Sequence, residues 1–523
     1  MSVSRSILLP PSPLQSRCTT IKNSSDLHAQ TLNHGLHPPP FLTSKPPPSP
    51  FPNLFDQTPL PSSFHYNTLI RAHTQSHLPE AALHLFQKML SDCRTPPDKF
   101  TFPLILKACA QLSALDEGEQ IHCMILKSQS VPSDDVYVAT SLVRMYAQCR
   151  RMDKAQRLFD GMPNRNVVAW NTMIDGFVKY SDMNSARRIF DEMPERNVVS
   201  WNSLMGGYVR NELPHEALKI FVELQISGVM PDESTMVSVV SAISDLGLLC
   251  MGRRVHGYII RQKFSLLGAL GTALIKMYAE CGVIDAAYQV FVNISEKNVG
   301  HWTSMIGGFA AHGLVETALE LFSEMLRLGV EPNHVTFIGV LCACSHGGLV
   351  NKGIEYFNLM RSWGIRPTVQ HYGCLVDLLG RSGLLEEALD LVGNIPMESG
   401  LVIWGTLLAA CRKHGNVEIA EIVSRKLIEV EPEYGSCYVL LSHLYACMGR
   451  WEDFRRIRKM MEEKGVVKVP GFSWIEIDSG VQIFVAGDRF HVRSREIYRM
   501  LDELKLNLRW AGYEPVTCAR PAD

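Results

Sequence analysis

Apolar residues in this chain recur at spacings of three and four, which is the pattern of amphipathic helices. In residues 198–232 the pattern predicts a first helix over about Trp201–Arg210 and a second over about His215–Ser227. Asn211 and Pro214 are turn-forming residues and mark the connection between the two helices. The segment is therefore expected to form a helical hairpin.

The same pattern returns along the chain. The stretch MPNRNVVAWNTMI at 162–174 is restated without a gap as MPERNVVSWNSLM at 193–205. Similar units at 198–232, 233–267 and 268–298 account for the interval from Trp201 to Trp302. One hairpin cannot bury its apolar face alone, whereas stacked neighbours bury it continuously. The repetition predicts an all-α fold, a superhelical α-solenoid with a concave face.

The period changes after residue 400. Trp404 and Tyr438 are separated by the same interval as Gly415 and Gly449, and this spacing is typical of helical pairs that bind proteins. Beyond them, WIEIDSGVQIFVAGD at 474–488 alternates apolar and polar residues on both sides of a turn sequence. The C-terminal part is thus expected to combine helical pairs with a short β-hairpin.

The N-terminal segment, 1–60, differs in composition from the rest. It is rich in Ser, Thr and Pro, and carries Arg5, Arg17 and Lys22 before the first acidic residue, Asp26. This composition is typical of an organellar transit peptide, although a disordered tail would share it. Import into an organelle is the favoured interpretation, with PPPFLTSKPPPSPFP at 38–52 as a Pro-rich linker.

Charge and cysteine usage narrow the function classes. The formal net charge is −2 and the pI is about 6.8, so a nucleic acid would be bound by individually placed side chains rather than by a general basic field. The 14 Cys are scattered without a C-x-x-C, which favours reduced core thiols. His346, after CAC at 342–344, is a weak metal-ligand candidate and is more simply a helix-end residue. No metal or cofactor is expected, and FSLLGALGTALI at 264–275 is shorter than the roughly 20 residues that cross a bilayer.

The repeats resemble pentatricopeptide repeats of the plant PLS subclass, in which P motifs, long L motifs and short S motifs alternate. The matching stretches are YNTLI at 66–70 and WNSLM at 201–205 for P, FTFPLILKACAQLSALDEGEQIHCMILKS at 100–128 for L, and SLVRMYAQCRRMDKAQRLFDGMPNRN at 141–166 for S. The succession reads P 63–98, L 99–135, S 136–166, S 167–197, P 198–232, L 233–267, S 268–298, P 299–333, L 334–368 and S 369–400.

The resemblance implies a right-handed superhelix that binds single-stranded RNA and reads about one base per repeat. In the family, the fifth and the last residue of a repeat select the base. The pairs here are Asn67 with Asp98, Thr140 with Asn166, Asn171 with Asn197, Asn202 with Asp232, Thr272 with Asn298, and Thr303 with Asn333. The L repeats carry Pro103, Val237 and Ile338 at the fifth position, where no side chain can hydrogen-bond to a base.

By the family's code these pairs imply the 5′-to-3′ order U, unread, A, C, U, unread, A, A, with the last two repeats ambiguous. Val168 and Val199, at the second position, are expected to wedge between stacked bases. An alternative stays open for the last residues, because Asn and Asp also cap helices, and capping can coexist with base reading. Capping explains less at the fifth position, which already lies inside the helical pattern.

The C-terminal part also resembles known motifs. WGTLLAACRKHGNVEIAEIVSRKLIEVEPE at 404–433 and YVLLSHLYACMGRWEDFRRIRKMMEEKGVVK at 438–468 resemble the E1 and E2 motifs, and residues 470–515 resemble the E+ extension. Longer relatives continue into a DYW deaminase domain that holds zinc through His-x-Glu and Cys-x-x-C. Neither pattern occurs in this sequence, so we expect no catalysis by this chain.

The resemblance thus implies a site-specificity factor for C-to-U RNA editing in a plant organelle, and not an enzyme. Residues 1–60 would be the transit peptide and linker, and 63–400 the RNA-binding array. Residues 401–469 and 470–523 would recruit a DYW-type cytidine deaminase and editing accessory proteins, without membrane insertion. The alternatives are an organellar RNA stabilisation, splicing or processing factor without editing, and a helical protein-interaction scaffold. The sequence leaves mitochondrion and plastid undecided.

Overall fold

The computed structural model describes residues 62–76, 78–91, 95–128, 135–395, 400–467, 471–477, 480–485 and 487–513. The predicted transit peptide and Pro-rich linker, residues 1–60, lie outside the described residues. The chain divides into two compact modules. The first contains the residues up to Leu213 together with Ile220–Met230, and the second contains Pro214–Lys219 and the residues from Pro231 onward.

Helices dominate both modules, and the described residues form 25 α-helices and one two-stranded sheet. The predicted fold class, an α-solenoid of helix–turn–helix repeats with a β-hairpin near the C terminus, is confirmed. The helices are α1 (Ser63–Gln75), α2 (Pro79–Ser91), α3 (Thr101–Leu112), α4 (Leu115–Lys127), α5 (Val136–Gln148), α6 (Met152–Asp160), α7 (Val167–Lys179), α8 (Met183–Glu192), α9 (Val198–Arg210), α10 (Pro214–Ile226), α11 (Glu233–Asp245), α12 (Leu249–Arg261), α13 (Ala269–Glu280), α14 (Ile284–Asn293), α15 (Val299–Ala311), α16 (Val315–Arg327), α17 (His334–Gly347), α18 (Val350–Ser362), α19 (Val369–Arg381), α20 (Leu385–Gly393), α21 (Leu401–His414), α22 (Val417–Val430), α23 (Gly435–Cys447), α24 (Trp451–Glu463) and α25 (Ser494–Trp510).

Within each module the first helices of successive repeats pack side by side. These are α1, α3, α5, α7 and α9 in the first module, and α11, α13, α15, α17, α19, α21 and α23 in the second. Most second helices pack on the first helix of their own repeat and on that of the next one. We call the surface formed by the first helices the first-helix face.

The start of most first helices is set by the residue just before the helix, and at α3 by Asp98, three residues before the first helical residue. Asn197 Oδ1 accepts the Ser200 N–H at 3.0 Å, which satisfies one of the free amides at the start of α9. The prediction that this helix begins near Trp201 is therefore wrong by three residues, because the cap at Asn197 sets the start at Val198. We call this residue the cap residue and count positions from it. The cap residues are Ser62, Asp98, Asp135, Asn166, Asn197, Asp232, Asn298, Asn333 and Thr368, with Leu267 and Gly400 at the equivalent place.

The turn between the two helices of a repeat contains a left-handed residue at position +15. In the second module this residue is glycine, for example Gly282 with φ 83° and Gly313 with φ 72°, and glycine adopts this conformation without strain. In the first module it is Ser113, Arg150, Ser181 or Glu212. Pro214, predicted to lie in the turn, is instead the first residue of α10, where its missing N–H leaves no helical bond unmade.

The stretch that is repeated at 162–174 and 193–205 joins one repeat to the next. Arg165 Nε donates a hydrogen bond to Phe159 O at 2.9 Å, and its guanidinium lies 4.8 Å from the centroid of the Phe159 ring. That ring packs edge-on against Trp170 of the following helix, with centroids 4.9 Å apart. The stretch recurs because the same three groups connect each such pair of helices. The second copy is formed by Arg196, Phe190 and Trp201.

Position +20, counted from the cap residue, lies on the second helix and distinguishes the L repeats from the others. It is a fully buried Ala in the P and S repeats, and these residues are Ala82, Ala155, Ala186, Ala217, Ala287, Ala318 and Ala388. In the L repeats it is Gly118, Gly252 or Gly353. A Cβ at Gly118 would lie 2.5 Å from Met145 Sδ of the next first helix, so the Met145 side chain fills the space that the Ala methyl group occupies elsewhere.

Side chains near the end of several first helices hydrogen-bond to a backbone carbonyl of the repeat before. Tyr180 Oη donates to Ala147 O at 2.8 Å, and Asn211 Nδ2 donates to Val178 O at 3.2 Å. His346 takes part in the same way, with Nδ1 at 2.7 Å from Ala310 O. These bonds satisfy carbonyl groups at helix ends that would otherwise lack a partner. The interpretation of His346 as a helix-end residue is confirmed.

The C-terminal region continues the helical pairs with α21–α24 and ends in a different structure. Strands β1 (Phe472–Ile477) and β2 (Gly480–Val485) pair antiparallel, with Phe472 opposite Val485 and Ile477 opposite Gly480. This confirms the predicted hairpin. Helix α25 follows and buries none of its side chains. Among the described residues, no helix has the length and apolar character to cross a membrane.

Candidate functional site

All six predicted last residues cap the first helix of the following repeat. Each accepts a hydrogen bond from the backbone amide three residues ahead, at distances from 2.8 to 3.1 Å. The capping interpretation from the sequence is thereby realised in the fold. These residues are Asp98, Asn166, Asn197, Asp232, Asn298 and Asn333.

Capping uses one side-chain oxygen and fixes the orientation of the group. At Asn166 and Asn197 the capping atom is Oδ1, because only an oxygen can accept the amide hydrogen, so the Nδ2 amide group is turned away from the helix as a donor. At Asp98 the Oδ1 atom accepts from Thr101, and the second carboxylate atom, Oδ2, is an acceptor. A cap Asn and a cap Asp therefore offer opposite hydrogen-bonding characters at the same point of the repeat.

The predicted fifth residues lie at position +5, on the second turn of each first helix. Asn67, Thr140 and Asn171 are buried at the seam between neighbouring first helices, with 7–8% of their surface exposed. Asn202, Thr272 and Thr303 are half-buried. The Oδ1 atoms of Asn67 and Asn171 accept no hydrogen bond from any residue that the structure describes. An orphaned buried acceptor is costly, so these amides are suited to an added polar partner.

The structure brings three of the predicted pairs together. Asn67 Nδ2 donates to Asp98 Oδ1 at 3.2 Å. Thr303 Oγ1 lies 2.7 Å from Thr336 Oγ1, which donates to Asn333 Oδ1 at 3.1 Å, so this pair is linked through one hydroxyl.

Thr272 and Asn298 converge in a similar way. A Cβ placed on Gly300 would lie 3.0 Å from both Thr272 Oγ1 and Asn298 Oδ1. Because both oxygen atoms lie this close to one point, the Thr272 and Asn298 side chains border the same small space. Gly300 has no Cβ, and this keeps the space open.

In each of the remaining three predicted pairs, the two residues lie on or cap different helices. Thr140 Oγ1 donates to Val136 O of its own helix at 2.6 Å, while Asn166 caps α7. Asn171 belongs to α7 and its predicted partner Asn197 caps α9, and the first helices α7 and α9 pack side by side. Asn202 belongs to the first module and Asp232 to the second.

Exposed apolar side chains line position +2 of the first-helix face. Val168 and Val199 lie there, as predicted for residues that contact stacked bases, and each is about half exposed. The sequence reasoning missed four further members of this set, three of them aromatic, although counting two residues from each cap finds them. They are Phe64, Phe100, Tyr137 and Val335. Aromatic and aliphatic groups at regular intervals suit insertion between bases.

Basic side chains occupy position +9 of the same face in four repeats, whereas Asp175 and Asp377 occupy it in two others. Arg71, Lys107, Arg144 and Lys276 are exposed there, one helical turn beyond position +5. Lys276 Nζ lies 3.5 Å from a carboxylate oxygen of Glu280. These cations were not predicted from the sequence, although counting nine residues from each cap finds them, and a Lys or Arg at such a place suits contact with a phosphate group.

The L repeats differ from the others at the same place. Pro103, Val237 and Ile338 are half-buried at position +5 and carry no hydrogen-bonding group. Their neighbours on the face do carry such groups, at Thr140 and Thr272. Apolar and hydrogen-bonding residues therefore occupy equivalent +5 positions in neighbouring repeats, and the alternation of selective and unselective columns stays a prediction.

Two buried histidines replace hydroxyl residues at position +3. His301 Nδ1 accepts the Asn298 N–H at 3.1 Å, and its Nε2 lies 3.1 Å from Gly268 O. His371 has the same arrangement with Thr368 and His334 O. Burial lowers the pKa of both imidazoles from their ordinary value, so both are held neutral with the proton on Nε2. In the described part of the chain, no group of three or more His, Cys, Asp or Glu could hold a metal ion.

Comparison with known families and proteins decides the assignment. The description "PPR repeat family" matches residues 61–111, 165–198, 196–245 and 297–346, and "PPR repeat" matches 137–167, 335–365 and 371–396. "E motif" matches residues 414–476. The pentatricopeptide repeat-containing protein At5g48910 of Arabidopsis thaliana is 43% identical over 481 residues, covering 89% of this chain and 74% of that protein.

The chain belongs to the pentatricopeptide repeat protein family. A second Arabidopsis thaliana relative, named as chloroplastic/mitochondrial, is 38% identical and covers 88% of this chain and 69% of its own length. The succession of long and short repeats followed by an E motif agrees with the predicted PLS-type organisation.

A solved pentatricopeptide repeat structure has the same fold. It is PPR10 in complex with an 18-nucleotide psaJ RNA element, with a TM-score of 0.60 and 18% identity. The match covers 77% of this chain and 60% of the PPR10 chain. At this level of identity the similarity concerns the fold, so the choice of ligand for the present chain depends on its own side chains.

Proposed function

We propose that this pentatricopeptide repeat protein binds single-stranded RNA in a plant organelle and selects individual cytidines for C-to-U editing. The observation that carries the proposal is the register of the first-helix face. Six repeats carry a large apolar group at +2, six carry a hydrogen-bonding group at +5 with another at the cap, and four carry a cation at +9, whereas Asp175 and Asp377 occupy +9 in two others. Stacking, base-edge bonding and phosphate contact are the three interactions that single-stranded RNA offers.

The chemistry of the cap residues supports base selection. A cap Asn presents a donor, which matches the ring-nitrogen acceptor on the pairing edge of C or A. A cap Asp presents an acceptor, which matches the ring N–H of U or G. This derivation agrees with the family's code, in which a final Asn favours C or A and a final Asp favours U or G. The predicted order U, unread, A, C, U, unread, A, A is therefore the proposed target.

The region after the array supports recruitment of a partner. The β-hairpin and α25 expose many apolar side chains, and Phe490 and Trp510 are 98% and 83% exposed. Large apolar groups left in water mark a contact surface for another protein. We assign RNA binding to residues 63–400, and recruitment of a separate DYW-type deaminase and accessory proteins to residues 401–469 and 470–523.

Import into an organelle completes the proposal. The basic, hydroxyl-rich residues 1–60 and the chloroplastic or mitochondrial names of two relatives support an organellar location. The deamination itself is assigned to the partner, because deaminase chemistry needs a zinc site and a proton-shuttling Glu.

Sequencing of organelle transcripts from a plant that lacks this protein tests the proposal. We expect one or a few cytidines to lose editing, each preceded by a match to the predicted bases, and a copy of the wild-type chain to restore them. Intact editing with altered transcript ends or splicing would favour the processing function instead. Unchanged transcripts of every kind would favour the protein-interaction scaffold.

Binding by the purified chain provides the complementary measurement. An RNA oligonucleotide with the predicted bases should bind more tightly than one in which the base opposite the pair Asn171 and Asn197 is changed from C to U. A change at the column of Val237 should have little effect, because this side chain cannot distinguish bases by hydrogen bonds. Equal affinity for all three oligonucleotides would contradict sequence-specific recognition.

A further inference from the structure

Two cysteines from consecutive repeats meet on the first-helix face of the second module. Cys342 lies at position +9 on α17, and Cys374 lies at position +6 on α19. Their Sγ atoms are 3.6 Å apart, which is a thiol hydrogen-bond distance. Both side chains are partly exposed. A disulfide bond is about 2.05 Å long, so a movement of roughly 1.5 Å would join the two sulfur atoms.

The contact follows from the register of the repeats. On this face, position +9 of one repeat lies beside position +6 of the next. The same register is seen one repeat earlier, where a Cβ on Gly339 at +6 would lie 3.3 Å from the backbone nitrogen of Gly307 at +9. The packing of the two helices therefore brings the residues at these two positions close together, as the backbone contact between Gly339 and Gly307 shows for the preceding pair.

The surroundings make the two thiols unequal. The hydrogen bond with Cys374 lowers the pKa of Cys342, and Arg381 acts in the same direction, while burial and Asp377 oppose it. The same hydrogen bond, together with burial, raises the pKa of Cys374. Arg381 and Asp377 form an ion pair at 2.8 Å beside the cysteines. Cys342 is therefore the thiol that ionises first and reacts first, with Cys374 next to it as the resolving thiol.

We propose that Cys342 and Cys374 form a redox modification site, at which a two-electron oxidant of the peroxide class links consecutive repeats by a disulfide bond. The Cys342 thiolate attacks one peroxide oxygen and becomes a sulfenic acid, and the second oxygen leaves as water. The Cys374 thiol then attacks the Cys342 sulfur and releases a second water. Two thiols are oxidised to one disulfide, and one peroxide is reduced to two waters.

Several other described cysteines lack this combination of proximity and access. Cys344, Cys411 and Cys437 are buried, and burial raises the pKa of their thiols to about 11, 12 and 11 respectively. Cys123 is exposed, and lies on a second helix of the first module. The contrast with Cys123 provides a matched control, because it tests exposure without the paired arrangement.

The cross-link would act on two positions of the candidate site. Cys342 lies one helical turn after Ile338, and Cys374 directly follows Gly373, and these are the +5 residues of the two repeats. A disulfide would fix the distance between α17 and α19 at this point. The chemistry occurs in the protein alone, so the inference does not depend on RNA binding.

Oxidation of the full-length, fully reduced protein by hydrogen peroxide tests the proposal. After rapid alkylation and digestion, mass spectrometry should find the peptides of Cys342 and Cys374 joined, with the loss of two hydrogens, and a thiol reductant should separate them. The midpoint of thermal unfolding should rise by about 5 °C, because the cross-link restricts the unfolded chain.

The variants define which result overturns the idea. Cys374→Ser should remove the cross-link and leave Cys342 as a sulfenic or sulfinic acid, whereas Cys123→Ser should leave the cross-link unchanged. The proposal is overturned if wild-type Cys342 and Cys374 stay alkylatable under conditions that oxidise Cys123. It is equally overturned if Cys342 is joined to another cysteine instead. The wild-type measurement decides the matter even where a variant folds poorly.

Discussion

A cap residue of this chain combines a helix start and a candidate base contact in one side chain. Asn197 shows how this works, because its Oδ1 accepts the Ser200 amide while its Nδ2 group is turned outward. The helix needs only the oxygen, and Asp supplies an equivalent oxygen. Exchange between Asn and Asp at a cap should therefore change recognition while it preserves the fold.

Asn197→Asp is the direct test of this separation. We expect the variant to keep the thermal stability of the parent, since Asn and Asp cap helices about equally well. Its preferred base at that column should change from C to U. One hydrogen bond contributes about 1 kcal/mol, so the ratio of the affinities for the C and U oligonucleotides should change by about fivefold to tenfold. Fluorescence anisotropy with two oligonucleotides that differ at this base measures the switch.

Two outcomes would count against the cap as a base contact. Asn197→Ala should lower stability by about 1 kcal/mol and lose selectivity, because it removes both groups. If Asn197→Asp leaves the preference for C intact, the outward group does not select the base. If Asn197→Asp lowers stability as much as Asn197→Ala, the two roles are not separable.

The buried histidines predict a loss of stability in mild acid. The pKa values of His301 and His371 are lowered mainly by burial, and the hydrogen bonds from Nε2 to Gly268 O and His334 O offset only part of this effect. Below pH 6.5, the ordinary value, the unfolded chain therefore binds protons more readily than the folded protein. Stability should be constant above this pH and fall below it, by at most about 1.4 kcal/mol per pH unit for each histidine.

Urea denaturation between pH 8 and pH 5.5 measures this dependence. His301→Thr is a suitable comparison, because Thr occupies the equivalent position at Thr235 and Thr336 and does not titrate. The variant should lose less stability in acid than the parent does. Identical pH profiles for parent and variant would show that His301 does not control the acid response.

At the scale of elements, the glycines of the L repeats predict an unusual response to alanine. A Cβ at Gly353 would collide with Leu378 of the next first helix. Alanine normally favours a helix over glycine by about 1 kcal/mol, but overpacking of this kind costs about 1–3 kcal/mol. We expect Gly353→Ala to lower the midpoint of chemical unfolding.

Gly307→Ala is the matched control within the same module. Gly307 is also helical, but no heavy atom of the described residues lies within 4 Å of a Cβ placed there. This substitution should raise stability by about 0.5–1 kcal/mol through helix propensity. A gain of similar size from Gly353→Ala would show that Leu378 moves aside without cost.

Sequence alone predicts the elements better than the contacts between them. Periodicity located the hairpins and the β-strands, because amphipathic spacing is a local property. It placed one helix start at Trp201 rather than Val198, since an aromatic anchor is more conspicuous than a cap. The approach of Cys342 to Cys374 was not predicted. These residues are 32 positions apart along the chain, and their contact depends on the register between α17 and α19.

The candidate site shows the same division. Position +5 and the cap were predicted from the resemblance to pentatricopeptide repeats, and the structure places them on equivalent turns. The burial of Asn67 and Asn171 was not predicted, because it depends on how closely neighbouring first helices pack. Phe64 and Tyr137 belong to the +2 set by position, and only their exposure distinguishes them from core aromatic residues.

At the scale of the whole molecule, recognition and recruitment should be separable. Phe490 and Trp510 are almost fully exposed, so their replacement costs the fold little. We expect the double variant Phe490→Ser/Trp510→Ser to bind target RNA within about twofold of the parent. It should fail to restore editing in a plant that lacks the protein, because the proposed contact surface for the deaminase is weakened.

Variants of the array provide the opposite control. Asn171→Ala should weaken RNA binding and leave the C-terminal surface unchanged. Full editing by Phe490→Ser/Trp510→Ser would show that these side chains do not contact the editing partner. A large loss of RNA affinity in that variant would show instead that the C-terminal region takes part in RNA binding.

The dual use of the cap residues has a consequence for the gene. Asn and Asp codons differ by one purine transition at the first codon position, so a single mutation can exchange them. Because either residue starts the helix, such a mutation passes through no misfolded intermediate. If the gene is duplicated, one copy could therefore acquire a preference for a different RNA sequence in one step. A mutation in a target RNA could likewise be matched by a single codon change in the protein that is proposed to bind it.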